Sequence, residues 1–116
     1  AAGPNGSLMT PEVMRDAARG ALERGAECVL VNCTPAVATL PYVQALATLG
    51  ARVGAYANAG RVDDAMGWQA DDVPAAERYA DLAAEWVAAG ASVVGSCCGT
   101  GPAHTAALAR RLSRPE

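Results

Sequence analysis

The sequence predicts an α/β fold in which helices alternate with the strands of a parallel sheet. Two observations carry this reading. Short apolar, partly β-branched runs follow helical patterns three times along the chain, and the junctions between them repeat. Gly25-Ala26, Gly50-Ala51 and Gly90-Ala91 each close a helix, and a strand follows within one residue. That order is the grammar of consecutive βα units in a parallel sheet.

The elements follow in order. Thr10-Pro11-Glu12 is a helix start: a capping hydroxyl, proline at the first helical position, then an acid facing the positive dipole end. Val13, Met14, Ala17, Ala18, Ala21 and Leu22 continue at helical spacing, and Gly25 supplies the left-handed stop. Cys28-Val29-Leu30-Val31 reads as a strand buried on both faces. A second helix is expected over about Leu40 to Leu49 and a second strand over about Arg52 to Tyr56. A third helix begins near Pro74, with Tyr79, Ala83, Trp86 and Val87 on its buried side, and ends at Gly90. The third strand is Ser92 to Gly95, and a last helix opens at about Pro102.

Three strands and four helices occupy 116 residues. A closed (β/α)8 TIM barrel takes about 250 residues, so the chain is either a small open sheet or the C-terminal portion of such a barrel. Ala1–Ser7 carries no strand signal, which suits a cut between units. Although 52% of residues are hydrophobic, 28 are alanine and none is phenylalanine. Alanine buries little area, so a robust solitary fold is not expected.

Composition excludes several functions. Net charge is −3 with no basic stripe to track phosphates, so nucleic acid is not an expected partner. No run approaches the roughly 18 apolar residues of a membrane span, and a cytoplasmic protein is expected. With no lysine, no Schiff base can form in this segment, and with His104 the one histidine, multi-histidine metal sites are excluded. A metal site here must be built from cysteine.

Cys28, Cys33, Cys97 and Cys98 are too few and too unevenly placed for a disulfide scaffold. Cys28, early in its strand, reads as a small core residue. Cys33 ends the first strand, and Cys97-Cys98 end the third. Active sites of parallel α/β folds collect at the C-terminal strand ends, so these three cysteines share one end of the sheet. Three thiolates leave the fourth tetrahedral position of zinc open, which is the catalytic pattern. Packing remains the competing reading for each cysteine taken alone.

The words around the cysteines are Val31-Asn32-Cys33-Thr34-Pro35, then Tyr56-Ala57-Asn58-Ala59-Gly60 with Trp68 downstream, then Gly95-Ser96-Cys97-Cys98-Gly99-Thr100-Gly101-Pro102. Together they resemble the homocysteine S-methyltransferases. The resemblance runs from roughly Leu8 to Leu112 and is closest to the S-methylmethionine-type enzymes; Ala57 replaces a proline and Ser96 a glycine of the family pattern. It implies a partial homocysteine-binding domain over residues 1–116, the C-terminal three βα units of a (β/α)8 barrel. It also implies Zn2+ on Cys33, Cys97 and Cys98, with Asn58 binding substrate. The reaction would transfer a methyl group from S-methylmethionine or S-adenosylmethionine to the thiol of homocysteine, giving methionine. Homocysteine and the donor are then the expected partners, with self-association or a complementing N-terminal half to complete the barrel. The isolated chain is expected to be inactive.

Other residues have sharper and plainer readings. Asn58 either orients homocysteine, occupies the fourth metal position, or serves as a turn residue in Asn-Ala-Gly. Asn32 is expected to satisfy loop backbone and His104 to lie on the surface of the last helix. Trp68 can wall a pocket, whereas Asp63, Asp64, Asp71 and Asp72 read as a solvated face. Two rival functions stand beside methyl transfer: a zinc-binding or interaction fragment without activity, and a thiol hydrolase using Cys33 with His104.

Overall fold

The computed structural model describes residues 1–2, 8–59 and 73–113. Among them the chain forms α1 (Pro11–Glu23), β1 (Cys28–Pro35), a 3-10 turn (Ala36–Ala38), α2 (Leu40–Ala47), β2 (Arg52–Asn58), α3 (Val73–Ala88), β3 (Ala91–Ser96) and α4 (Pro102–Leu112). The strands pair in parallel in the order β1-β2-β3. This is the α/β arrangement that the repeated junctions imply, with strands two to four residues longer than their apolar runs.

Local chemistry sets the boundaries. The Thr10 hydroxyl accepts the Val13 N–H at 3.2 Å and caps α1. Gly25, Gly50 and Gly90 have φ of 102°, 71° and 122°, a region closed to most side chains, so each helix ends where glycine permits the reversal. Consecutive strands pair as neighbours, and right-handed crossovers then place α2 and α3 on one side of the sheet. α1 packs on α2, α2 on α3, and α3 on α4, so the helices form one layer. The described residues measure 40 × 40 × 19 Å, the thickness of two layers.

The core lies between those layers. Eleven of its twenty buried apolar residues among those described are alanine, and bulk comes from Trp86, Tyr79 and Leu46. Small side chains let helices approach the sheet closely, while the two large rings of α3 fill the space that remains. Tyr79 and Trp86 meet edge to face at 5.6 Å. Val87 is 40% exposed rather than buried, because α3 turns Ala83 and Trp86 inward and Val87 falls one position off that stripe. On α1 only Met14 is buried, and Val13 is 53% exposed; this helix flanks the sheet edge and meets α2 along a narrow stripe.

The other side of the sheet carries no helix among the described residues. Leu30, Gly54 and Val93 adjoin there, with Tyr56 beside Gly95. Val93 is 41% exposed. Beside it, an open groove of about 490 Å3 runs between β3 and α4, lined by Val93, Val94, Leu108 and Leu112. Both β1 and β3 are edge strands in this sheet.

At Gly54 the approach of β2 to β3 leaves no room for a side chain. A Cβ there would lie 2.2 Å from the Val93 carbonyl oxygen and 2.9 Å from Leu30 Cδ2. The backbone oxygen cannot step aside without parting the strands. Gly54→Ala is therefore expected to destabilise the chain by about 3 kcal/mol or more, at the top of the range for overpacking. A thermal melt unchanged by the substitution would contradict this packing.

Candidate metal centre

Strands β1 and β3 are not neighbours; β2 lies between them, so they stand about 10 Å apart. Cysteine is a short side chain, and bringing Cys33 to Cys97 across that gap requires rerouted backbone. β1 provides one reroute. Asn32 pairs with Tyr56 and Pro35 with Asn58, so three steps along β1 match two along β2. The extra residue makes a β-bulge, and Cys33 sits in it at φ 49°. A left-handed conformation costs a non-glycine residue roughly 1–2 kcal/mol.

The bulge has a definite effect. In an uninterrupted strand Cys33 would share the side of Val31, which is packed into the helix-covered core. Instead its Sγ lies 2.9 Å from that of Cys97 and 3.7 Å from that of Cys98. Hydroxyl groups stabilise the distorted backbone. Thr34 Oγ1 donates to the Asn32 carbonyl at 3.2 Å, and the buried Thr39 donates to the Pro35 carbonyl at 2.9 Å.

The double cysteine is held against β2 after β3 ends. The Cys97 N–H donates to the Ala57 carbonyl at 2.9 Å, and the Ala59 N–H donates to the Cys98 carbonyl at 2.9 Å. Thr100 donates from its N–H and its hydroxyl to the Cys97 carbonyl. Asn58 lies between these contacts, at the C-terminal end of β2 and opposite Pro35. Its Oδ1 is buried and has no hydrogen-bond partner among the described residues.

The three Sγ atoms all lie within 4.8 Å of one another. Zinc–sulfur bonds of 2.3 Å in a tetrahedron place sulfurs about 3.8 Å apart. The separations of 3.7 Å from Cys33 to Cys98 and 4.0 Å from Cys97 to Cys98 match that spacing. The 2.9 Å between Cys33 and Cys97 is shorter, and those two must part by nearly an ångström to share an ion. With that adjustment the donor set fits a thiophilic metal. Cys28 stands at the far end of β1, five residues from Cys33 and about 16 Å away, and is not in the cluster.

Without a metal the thiols hold each other's protons. Cys33 is pushed up to about 11, first by the hydrogen bond it shares with Cys97 and second because burial disfavours its thiolate. Cys97 is lowered, first by the hydrogen bond it shares with Cys33; burial opposes this, and the N–H groups of Cys98 and Cys33 lower it further.

Around the cysteines the structure corrects two further expectations. Cys33 does not end its strand: β1 continues through Pro35, and the bulge rather than the strand terminus delivers the sulfur. His104 is fully buried instead of lying on the surface, because its ring packs edge to face on Tyr79 at 5.5 Å and its Nδ1 accepts the Gly101 N–H at 3.1 Å. The bulge went unpredicted although Pro35 gave a signal, since proline within a strand favours an edge or a bulge. Asn32 Oδ1 accepts from the Ala1 nitrogen at 3.1 Å. Trp68, Asp63, Asp64, Asp71 and Asp72 lie outside the described residues.

Comparison with protein families supplies the context for these thiols. The family model for homocysteine S-methyltransferase matches residues 4–112. The chain belongs to the homocysteine S-methyltransferase family. No curated protein and no solved structure matches it. The match to this methyltransferase family spans all three cysteines and Asn58. Of the two departures from the family words, Ser96 is half-buried and pairs with Ala57, so both fall in one rung of the β2–β3 ladder. No described helix is long and apolar enough to cross a membrane.

Metal binding must displace protons from the thiol cluster, in which Cys33 is pushed up to about 11. Affinity for zinc should therefore climb with pH, by at least about tenfold per unit between pH 6.5 and 8.5. Competition titrations against a chelator of known proton affinity check this. An affinity flat over that range would contradict a site that includes Cys33.

Proposed function

We propose that this chain supplies the metal centre of a zinc-dependent enzyme that transfers a methyl group to the thiol of homocysteine, giving methionine. The observation that carries the reading is the convergence of Cys33, Cys97 and Cys98 Sγ atoms within 4.8 Å, in a chain of this methyltransferase family. A bound zinc ion would lower the pKa of a coordinated thiol enough to deprotonate it near neutral pH.

The residues of the chain divide the work. Cys33, Cys97 and Cys98 hold the ion as thiolates, and their combined negative charge keeps the site electron-rich. Asn58 orients homocysteine with its amide; the buried Oδ1 that no described residue satisfies is an acceptor available to a substrate donor. The methyl donor is an activated sulfonium compound, S-methylmethionine or S-adenosylmethionine. The expectation for the donor comes from the resemblance of Tyr56–Gly60 to the S-methylmethionine-type enzymes.

The three βα units are proposed to be the C-terminal part of a (β/α)8 barrel, with residues 1–116 one partial homocysteine-binding domain. Two open edges, a helix-free side and the groove beside Val93 support this reading, since a barrel pairs such edges and fills such a face. A complementing N-terminal half, or a second copy of the chain, would cover them. A reducing cytoplasm suits a site of three free thiols.

Two other readings weigh less. A thiol hydrolase built on Cys33 and His104 needs a nucleophilic thiolate, yet Cys33 is the thiol pushed up to about 11, and its strongest contact is Cys97. A zinc-binding fragment without activity shares the metal site and differs only in what completes it.

Substitution of single cysteines tests the ligand set. After loading under reducing conditions, the parent should hold one zinc per chain. Cys33→Ala, Cys97→Ala and Cys98→Ala should each lose it, whereas Cys28→Ala should retain it. Zinc retained by Cys33→Ala and lost by Cys28→Ala would reverse the assignment.

A further inference from the structure

We propose that Tyr79 and His104 act as positioning residues, clamping the two ends of the double-cysteine turn and so setting where Cys97 and Cys98 meet Cys33. Neither residue lies in the sulfur cluster, and both are fully buried. The inference rests on the three-thiolate reading above and adds what holds those thiolates in register.

Tyr79 reaches up from α3 to the end of the β2–β3 ladder. Its hydroxyl lies 2.7 Å from the Ala57 carbonyl and 2.9 Å from the Gly95 carbonyl, so one phenolic proton serves an oxygen on each strand. The Ala57 carbonyl is also the acceptor for the Cys97 N–H. The first ligand of the turn is thus fixed through an oxygen that Tyr79 itself holds. Burial pushes the Tyr79 phenol well above its ordinary range, so it stays a donor.

His104 fixes the other end. It sits in the first turn of α4, where its Nδ1 accepts the Gly101 N–H at 3.1 Å while its own N–H donates to the Gly101 carbonyl at 3.0 Å. This reciprocal pair defines where the Cys97–Gly101 turn stops and α4 begins. The ring then lies edge to face on Tyr79, 5.5 Å between centroids at 89°. Two buried side chains in mutual contact therefore grip the turn at Cys97 and at Gly101. Groups that orient metal ligands without touching the ion typically change metal affinity 10–100-fold when removed.

The test uses the full chain with cobalt(II) as a spectroscopic metal, and zinc affinity by chelator competition. Tyr79→Phe keeps the ring contacts and removes only the hydroxyl. It should weaken zinc by about tenfold or more and shift the cobalt absorption bands. His104→Leu should also weaken binding about tenfold, whereas His104→Gln restores an acceptor at the capping position and should remain within about threefold of the parent. Should Tyr79→Phe fail to fold, the His104 pair still decides. Core residues with a merely structural role would lower the melting temperature while leaving cobalt spectrum and zinc affinity at parental values, and that outcome overturns the proposal. A parent chain that binds neither metal would overturn the three-thiolate reading and this inference together.

Discussion

The site depends on one backbone event, the extra residue in β1 that puts Cys33 at φ 49°. A regular strand would bury this cysteine under the helices beside Val31, and Cys97 and Cys98 would be left as a vicinal pair without a third sulfur. The bulge costs roughly 1–2 kcal/mol in conformational strain. Thr34 and Thr39 offset part of it by bonding the displaced carbonyls. Strain of this kind persists where surrounding structure over-determines it. Here it coincides with a three-sulfur cluster in a homocysteine S-methyltransferase chain.

The rest of the fold serves that convergence. β2 spaces the two cysteine-bearing strands and hydrogen-bonds both, so Ala57 and Ala59 anchor Cys97 and Cys98 while Asn58 faces Pro35 of β1. Small residues dominate the layer between sheet and helices, which lets Tyr79 of α3 reach the carbonyl that anchors Cys97. Among the described residues the opposite side of the sheet, with Val93 exposed, contributes apolar surface rather than a second layer. Exposed strand edges beside apolar surface favour association, so the chain's behaviour in solution should depend on what pairs with β1 and β3.

Much of this was legible before any coordinates. The Gly-Ala junctions set the helix ends, and the three apolar runs located the strands, although β1 and β3 are covered on one side only among the described residues rather than buried on both. The rule that parallel sheets gather their chemistry toward the C-terminal side of the strands grouped Cys33, Cys97 and Cys98, and the three sulfurs do lie together, although a bulge rather than a strand end brings Cys33 there. Two features were not legible. The Cys33 bulge is accompanied by hydrogen bonds from the Thr34 and Thr39 hydroxyls to the Asn32 and Pro35 carbonyls, which strand periodicity does not report. The burial of His104 depends on Tyr79, 25 positions earlier on another helix, and helical periodicity within α4 cannot report a contact made by α3.

The central claim is that three thiolates from β1 and the turn after β3 bind one ion. X-ray absorption at the zinc edge of the loaded, reduced chain tests it most directly, because it counts sulfur neighbours and measures their distance. The account predicts three sulfurs near 2.3 Å and one lighter atom in the remaining position. A shell with two sulfurs or fewer, or one made only of nitrogen and oxygen, would contradict it.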